Sequence, residues 1–493
     1  MTFWFLLLLG IFTYVIVQRS VAGITRTPVW LLWLVLMTPA LIWSAWTAKY
    51  GPDQPLPNAL VFGPFVICPV LYWLLIQWGR RASNPQAAEN QTQSRESKSP
   101  AEVTPEPSPL RPIAQNEETE LRNCFPWSVY YIHNIEYRPQ AVICRGQLRT
   151  TPAEAYKRIR ENIEAQFGDR FLVVFQEGVN NKPFFALVPN PQSSAGQGST
   201  KPLTRPVLAL ALLVATLFTT TIVGVEIAGA NIEALESNPA VLLNGLPYAL
   251  ALMTILGIHE MGHYLTARFY KIRSTLPYFI PVPFFLGTFG AFIRMRSPVP
   301  NRKALFDLSI AGPLAGFVVT LPFLIWGLAH STVVPLPAQS SGGLNPDALN
   351  PNYSLLVALL SKLTLGTQLT GNKAIDLHPV AVAGFLGLVV TALNLMPVGQ
   401  LDGGHIVHAM FGQRIGVAIG QIARFLLLGL ALVQSGFLVW AIILFFMPIA
   451  DEPALNDVSE LDNRRDFLGL LALALLVIII LPAPKVITQL LHI

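Results

Sequence analysis

Charged residues are scarce in this chain: they account for 12% of its 493 residues, against 52% that are hydrophobic. An ordinary soluble domain is about one quarter charged, so this composition excludes a single soluble globular domain. Cysteine is scarcer still, with three residues that lack both metal-site spacing and a disulfide pattern. The net charge of +5 is modest and lies beside apolar segments, where membrane topology accounts for it. We therefore expect no nucleic-acid partner.

What the chain has in place of charge is a series of long apolar segments. Each is about 17 to 25 residues long, enough to cross a bilayer as a helix. The stretch 415–450 fits either a helical hairpin that turns near Ser435 and Gly436 or one span over 425–447. The sequence thus predicts a polytopic α-helical membrane protein with roughly nine or ten spans. The other candidate spans lie near residues 2–17, 29–46, 59–78, 205–228, 242–270, 304–329, 378–397 and 466–483.

Composition divides the chain into four parts. Residues 1–79 form a predicted three-span membrane unit, and residues 80–120 are so poor in large apolar side chains that we expect a disordered linker. Alternating apolar residues, together with a capping box at 151–154 that has proline at the first helical position, predict a small α+β domain over 121–190. Residues 205–483 form the predicted membrane-embedded core with the C-terminal spans.

Lysine and arginine predict the orientation of the chain. They cluster in loops that would all face one side, among them the loops around Arg80, Lys271 and Arg302, whereas the opposite loops carry few cations. Cytoplasmic loops are enriched in positive charge. We therefore expect residues 80–204 on the cytoplasmic side of a plasma membrane or a thylakoid-type membrane.

The motif with the clearest chemistry lies inside an apolar segment. His259-Glu260-Met261-Gly262-His263 is an HExxH sequence within the run 242–270. Residues four apart share one face of a helix, so His259 and His263 can bind one metal ion from the same side, and Glu260 can take a proton from water held there. Ionisable groups at membrane depth are costly and mostly functional. The motif predicts zinc-dependent hydrolysis within the membrane, with one Zn²⁺ per chain.

A catalytic zinc site usually has three protein ligands, and Asp402 is the strongest candidate for the third. It follows the apolar segment 378–397, where Pro397 and three nearby glycines should break the helix and present the carboxylate to a cavity. The other candidates for this position are His405, His408, His378 and Asp307.

Two further features are weaker candidates for binding substrate or orienting the site. Three prolines between 277 and 283 prevent a regular helix, and the stretch 287–293, with Gly287 and Gly290, fits a re-entrant strand to which an unwound substrate could add. The alternative is an interfacial loop packed on the core. Asn394 is a candidate for contacting the substrate backbone, and its alternative role is a helix-end cap. The small residues of 312–316 favour close helix packing.

Two motifs together resemble the site-2 protease family of intramembrane zinc metalloproteases. The HExxH sequence and an N-x-x-P-x-x-x-L-D-G sequence, residues 394–403, are both complete. Residues 276–316 and 452–460 resemble the chloroplast and cyanobacterial branch in particular. His405 stands where that resemblance leads us to expect arginine. The resemblance implies peptide-bond hydrolysis in transmembrane substrates, with His259, His263 and Asp402 as zinc ligands and Glu260 as general base.

Two other classes of function are compatible with these residues. A pseudoprotease that binds membrane helices would have no need for Glu260 as a base. A metal or solute transporter would be expected to distribute polar groups along a path, often on paired repeats, whereas here they concentrate at two places. The leading interpretation is therefore a protease in a lipid bilayer that cuts transmembrane proteins.

Overall fold

A computed structural model describes residues 27–51, 117–138, 140–178, 182–190, 205–230, 238–282, 286–335, 354–369, 373–433 and 437–491, with Ile113 and single positions between 10 and 78. The chain divides into two compact units, Met1–Glu106 and Pro107–Ile493. The predicted spans 2–17 and 59–78 are described at single positions only, and most of the predicted linker lies outside the described residues.

The first unit contains helix α1, Val29–Tyr50. Its side chains are apolar nearly throughout, and proline at position 39 lies inside the helix. The indole of Trp33 donates a hydrogen bond to the carbonyl of Gly10 at 2.8 Å, and the hydroxyl of Thr27 donates one to Leu75 at 2.7 Å. These bonds connect α1 to the residues on either side of it in the chain.

The second unit begins with a four-stranded antiparallel sheet of order β1-β2-β4-β3, which shares one hydrophobic core with two helices. Helix α3 buries Ala155, Ile159 and Ile163, the periodic residues that predict it, and ends at Gly168, where φ is 59°. Because the strands pair antiparallel and the helices pack against this sheet, the arrangement is α+β. Its elements are α2 Glu117–Asn123, β1 Tyr130–Arg138, β2 Ala141–Leu148, α3 Pro152–Phe167, β3 Phe171–Glu177 and β4 Pro183–Pro189.

Two local expectations for this region were wrong. Thr151 is the N-cap of α3, but its side chain makes no capping hydrogen bond. The neighbouring Thr150 hydroxyl instead donates to the carboxylate of Glu154 at 3.1 Å, so the reciprocal capping box does not form. Residues 117–120, assigned to the linker, belong to α2, because the buried Leu121 anchors that helix in the core beneath the sheet.

The remainder of the second unit is a helical membrane core. In the described residues, five helices are long and apolar enough to cross a bilayer: α1, α4, α5 with the 3-10 turn before it, α6 and α10. The chain is therefore a membrane protein, with α8 and α12 at two further predicted spans. The core helices are α4 Pro206–Ile227, α5 Leu246–Phe269, α6 Arg302–Ala329, α7 Leu355–Leu365, α8 Pro379–Leu395, α9 Asp402–Phe411, α10 Gln413–Val433, α11 Leu438–Phe446, α12 Asn463–Ile480 and α13 Lys485–Leu491.

The stretch 415–450 forms two helices in contact, α10 and α11, and the turn expected near Ser435 and Gly436 lies outside the described residues. Arg424 of α10 is buried, and its guanidinium donates to the carbonyls of Met447 and Pro448 at 2.9 and 2.8 Å. The last carbonyls of a helix have no partner within the helix. Arg424 donates to two such carbonyls directly after the end of α11. These hydrogen bonds explain why a cation is tolerated in this apolar segment.

Two short two-stranded sheets complete the core. Strands β5, Tyr278–Pro281, and β6, Thr288–Phe292, form an antiparallel hairpin between α5 and α6. Strands β7, Thr332–Pro335, and β8, Lys373–Asp376, pair with each other antiparallel; in the sequence, β7 precedes α7 and β8 follows it. No span was predicted between 304–329 and 378–397, and the structure has helix α7 in this interval.

Candidate metal centre

Helix α5 carries both histidines of the HExxH motif on one buried face. The exposed fractions of His259 and His263 are 4% and 8%, and their Nε2 atoms lie 3.2 Å apart. Residues four apart on a helix lie one above the other. The helical period alone therefore brings these two imidazole nitrogens to one point.

Asp402 reaches the same point from a distant part of the chain. Helix α8 ends at Leu395, a loop follows in which Gly399 has a φ of 52°, and α9 begins at Asp402. The Oδ2 atom of Asp402 lies 3.3 Å from Nε2 of His263 and 3.8 Å from Nε2 of His259. Among the described residues, these three side chains are the one group of histidine, cysteine or carboxylate ligands close enough together to hold a metal ion.

The geometry of this group fits a zinc ion. In a tetrahedral site with bonds of about 2.0–2.1 Å, neighbouring ligand atoms lie about 3.3 Å apart. The three separations here are 3.2, 3.3 and 3.8 Å. Two imidazoles and one carboxylate are a common catalytic zinc set, and three protein ligands leave one position for water or substrate.

A hydrogen bond fixes the orientation of one histidine ring. The Nδ1–H of His263 donates to the carbonyl of Leu308 in α6 at 2.8 Å, which leaves Nε2 with a free lone pair facing the cluster. Metal-binding histidines commonly donate their other ring N–H to such a carbonyl, because this selects the tautomer and orients the ring.

Small residues let α6 lie directly against the two histidines. A Cβ atom at Gly312 would lie 2.0 Å from Nε2 of His263, and a Cβ at Gly316 would lie 3.1 Å from Nδ1 of His259. On the other side of the contact, a Cβ at Gly262 would lie 2.6 Å from the carbonyl oxygen of Ala311. The small residues of 312–316 thus allow close helix packing, and this packing encloses the candidate ligands.

Glu260 and Asn394 border the cluster from two sides. Glu260 is buried, and the backbone of Ile293, directly after β6, lies beside it. The side-chain nitrogen of Asn394, on α8, lies 3.2 Å from Nε2 of His259. Asn394 is half-buried, so its amide faces the cluster rather than capping the end of α8.

The two glycines of the β5–β6 hairpin have different surroundings. Gly287 packs on α4: its carbonyl accepts a hydrogen bond from Thr219 at 2.7 Å, and a Cβ there would lie 2.5 Å from Cα of Thr220. Gly290 has a φ of 96°, and a Cβ there would meet nothing within 4 Å. Gly287 therefore attaches the hairpin to the core, whereas Gly290 lies beside open space.

The alternative third ligands lie outside the cluster. His378 caps α8 by accepting a hydrogen bond from Val380, and Asp307 forms an ion pair with Arg465 at 2.6 Å. His405 and His408 both contact Asp451, at 2.8 and 2.6 Å. His405 thus contacts a carboxylate at the position where arginine was expected.

The structure also contains charged residues that the sequence analysis did not single out as functional. Asp451 and Asp457 are buried beside His408, within or next to the segment 452–460 that carried part of the family resemblance. Arg302, interpreted as a loop cation, is the first residue of α6 and is only 4% exposed. The sequence between Asp451 and Asp457 has no helical or strand periodicity. The family resemblance of residues 452–460 was therefore the one signal that could have indicated a role for these two carboxylates.

Comparison with known proteins identifies the membrane core. Residues 247–433 match peptidase family M50. This part of the membrane core is similar to that family. The match contains His259, His263, Asn394 and Asp402, and it confirms the resemblance to site-2 proteases. Residues 119–195, the α+β region, match the family described as the EGY3 middle domain.

Curated relatives extend this similarity over most of the chain. Probable zinc metalloprotease EGY2, chloroplastic, of Oryza sativa subsp. indica is 31% identical over 366 residues, 73% of this chain and 65% of the relative. The protein of the same name from Arabidopsis thaliana is 31% identical over 73% of this chain and 63% of the relative. Probable zinc metalloprotease EGY1, chloroplastic, of Arabidopsis thaliana is 36% identical over 48% of this chain and 43% of the relative.

The chain spans less than two thirds of the length of the two EGY2 relatives, since the matches cover 65% and 63% of them. No solved structure matches the chain significantly. The relatives support the chloroplast branch of the family, in agreement with the resemblance of residues 276–316 and 452–460.

Proposed function

We propose that this protein is an intramembrane zinc metalloprotease that hydrolyses peptide bonds in or near transmembrane segments of membrane proteins. One observation carries the proposal: His259, His263 and Asp402 bring three ligand atoms within 3.8 Å of one another inside an apolar helical core, with Glu260 beside them. The M50 match and the relatives named zinc metalloproteases support the same chemistry. We assign one Zn²⁺ per chain to this cluster.

The roles of the residues follow from their positions. When bound, zinc supplies Lewis acidity, which polarises a carbonyl and makes water more acidic. Glu260 accepts the proton of the attacking water and then passes it to the nitrogen of the leaving amine. The amide of Asn394 donates a hydrogen bond to substrate beside His259. The burial of both histidines excludes bulk water from the ligands, which strengthens each of these electrostatic interactions.

Substrate access depends on local unwinding, because the peptide groups of a transmembrane helix are hydrogen-bonded within the helix. The β5–β6 hairpin suits an unwound segment. The backbone of Ile293, directly after β6, lies beside Glu260, and the sheet has two strands in the described part of the chain, which leaves outer edges for strand addition. Gly290, next to open space, allows a substrate backbone to approach this edge.

The expected membrane and orientation follow from the charge pattern and the relatives. The positive-inside rule places residues 80–204, and thus the α+β domain, on the cytoplasmic or stromal side. The relatives named chloroplastic favour a thylakoid-type membrane. We retain roughly nine or ten spans as the proposed topology, since the described residues cover the segments 2–17 and 59–78 only at single positions.

The test compares two Glu→Gln variants on neighbouring helices. The protein is purified in detergent, bound zinc is measured, and cleavage of a panel of tagged single-span membrane proteins is assayed. Glu260→Gln should keep its zinc and lose cleavage by about 10²–10⁴-fold, the usual contribution of a general base. Glu226→Gln, an exposed carboxylate of α4, should leave both unchanged.

Two results would contradict the proposal. Cleavage that survives in Glu260→Gln would remove this residue from the reaction. Wild-type protein that binds no zinc when prepared without chelators would favour a transporter or another non-proteolytic function.

A further inference from the structure

The α+β domain is attached to the membrane core by a shared strand. Phe175 of β3 donates its N–H to the carbonyl of Leu455 at 2.7 Å and accepts a hydrogen bond from the N–H of Asp457 at 2.9 Å. We call residues 454–457 the docking strand. β3 is an edge strand of the four-stranded sheet, so the docking strand extends this sheet by parallel pairing.

The docking strand is also hydrogen-bonded to the start of α6. The N–H groups of Leu455 and Asn456 donate to the carbonyls of Val299 and Pro300 at 2.9 and 3.0 Å. Leu455 and the nearby Val458 pack against the hydrophobic core of the α+β domain. The docking strand therefore lies between the α+β domain and the membrane core and is hydrogen-bonded to both.

A buried charged cluster lies behind the docking strand. His408 of α9 contacts Asp451 at 2.6 Å through Nδ1 and Asp457 at 3.0 Å through Nε2. Arg302 of α6 contacts the same carboxylate of Asp457 at 3.3 Å. None of these four residues is more than 8% exposed. Buried charges are stable only when they are paired, so the cluster fixes α9, α6 and the docking strand relative to one another.

Helix α9 connects this cluster to the candidate metal centre. Asp402 and His408 lie six residues apart on this helix with His405 midway between them, so about 9 Å of rise separates the first from the last. The first turn has no room to move: a Cβ at Gly403 would lie 2.0 Å from the carbonyl oxygen of Leu395. A short, tightly packed helix transmits a tilt at one end to the other.

We propose that His408 is a positioning residue for Asp402. By binding Asp451 and Asp457, His408 fixes the position of α9. Docking of the α+β domain on residues 454–457 therefore determines the position of the Asp402 carboxylate, which completes the metal centre. The inference rests on the proposed function, because it requires Asp402 to be a metal ligand. It assigns the α+β domain a regulatory role: a factor that separates β3 from the docking strand weakens metal binding.

Two readouts on the full chain in detergent test this coupling. Zinc affinity is measured by competition with a chromophoric chelator, and docking is measured by amide hydrogen exchange in peptides that cover 171–177 and 452–460. His408→Gln should lower zinc affinity about tenfold, the low end of the loss expected when a group that orients a ligand is removed. His133→Gln is the matched control, since β1 lies at the opposite edge of the sheet.

A second variant perturbs docking without touching α9. Leu455→Ala removes apolar contact with the α+β domain, so exchange in 171–177 should become faster. If docking sets Asp402, zinc affinity falls as well. Should His408→Gln fail to fold, Leu455→Ala decides the question alone.

Three outcomes separate the hypotheses. Zinc affinity of His408→Gln equal to that of His133→Gln would refute the positioning role. Faster exchange in Leu455→Ala at unchanged zinc affinity would refute the coupling between domain docking and the site. If Asp402→Asn also retains wild-type affinity, the proposed metal centre itself is wrong, which is a distinct failure.

Discussion

Replacing Gly312 by alanine would place a methyl group inside the candidate metal centre. The added Cβ would lie 2.0 Å from Nε2 of His263 and 2.5 Å from two of its ring carbons. Carbon and nitrogen atoms normally approach to about 3.5 Å, so the ring or α6 must move by about 1.5 Å. The ring has little freedom, because its Nδ1–H is bound to Leu308 at 2.8 Å.

This displacement sets the size of the expected effect. A shift of this size at one of three ligands should lower zinc affinity by about 10–100-fold, comparable with the loss of a group that orients a ligand. Cleavage should fall by about 10²-fold or more, the usual result of misplacing a reacting group by about 1 Å. Overpacking should also lower the free energy of unfolding by about 1–3 kcal/mol.

Two other Gly→Ala variants provide a graded comparison. At Gly316 the added Cβ would lie 3.1 Å from His259, so a shift of a few tenths of an ångström suffices and the effect should be small. At Gly429 of α10 nothing lies within 4 Å, and alanine should stabilise the helix by up to about 1 kcal/mol. The assays are chelator competition for zinc and thermal unfolding. A zinc affinity of Gly312→Ala equal to that of Gly429→Ala would refute the packing argument.

Two further predictions concern the substrate and pH. Asn394→Ala should retain zinc while cleavage falls by about tenfold or more, because Asn394 contributes a hydrogen bond and not a metal ligand; loss of zinc would instead make it part of the metal centre. Burial alone would lower the pKa of His408, but hydrogen bonds to Asp451 and Asp457 and their charges outweigh burial and raise it to about 9. The contribution of protonated His408 to the stability of docking is therefore fully present below about pH 6.5, the pKa of an unfolded histidine. This contribution is lost as the pH rises through about 9. Hydrogen exchange in β3, corrected for intrinsic rates, should accelerate over that range in wild type but not in His408→Gln.

The candidate ligands were predictable because their signals are local. The helical period brings His259 and His263 together. Pro397 and Gly399 predict that the helix before them ends there, which exposes Asp402 to the site. A catalytic zinc site usually has a third protein ligand, and Asp402 was predicted for this place although it lies more than a hundred residues away in the chain. The structure places the three side chains within 3.8 Å of one another.

The contacts around the docking strand were not predictable in the same way. Residues 454–457 have no strand periodicity, and they pair with β3 across nearly three hundred residues of sequence, so only the folded chain brings them together. The partners of Arg424, which lies in an apolar segment, are backbone atoms, the carbonyls of Met447 and Pro448. The sequence shows which side chains are present but not where unpaired carbonyls will lie.

The docking strand has a further consequence for the α+β domain as a separate molecule. A domain cut out at residues 113–190 would leave β3 as a bare sheet edge, and exposed edges recruit strands from other copies. Its apolar contacts with Leu455 and Val458 would become exposed at the same place. Such a fragment should self-associate through β3, and a peptide that covers 452–460 should keep it monomeric.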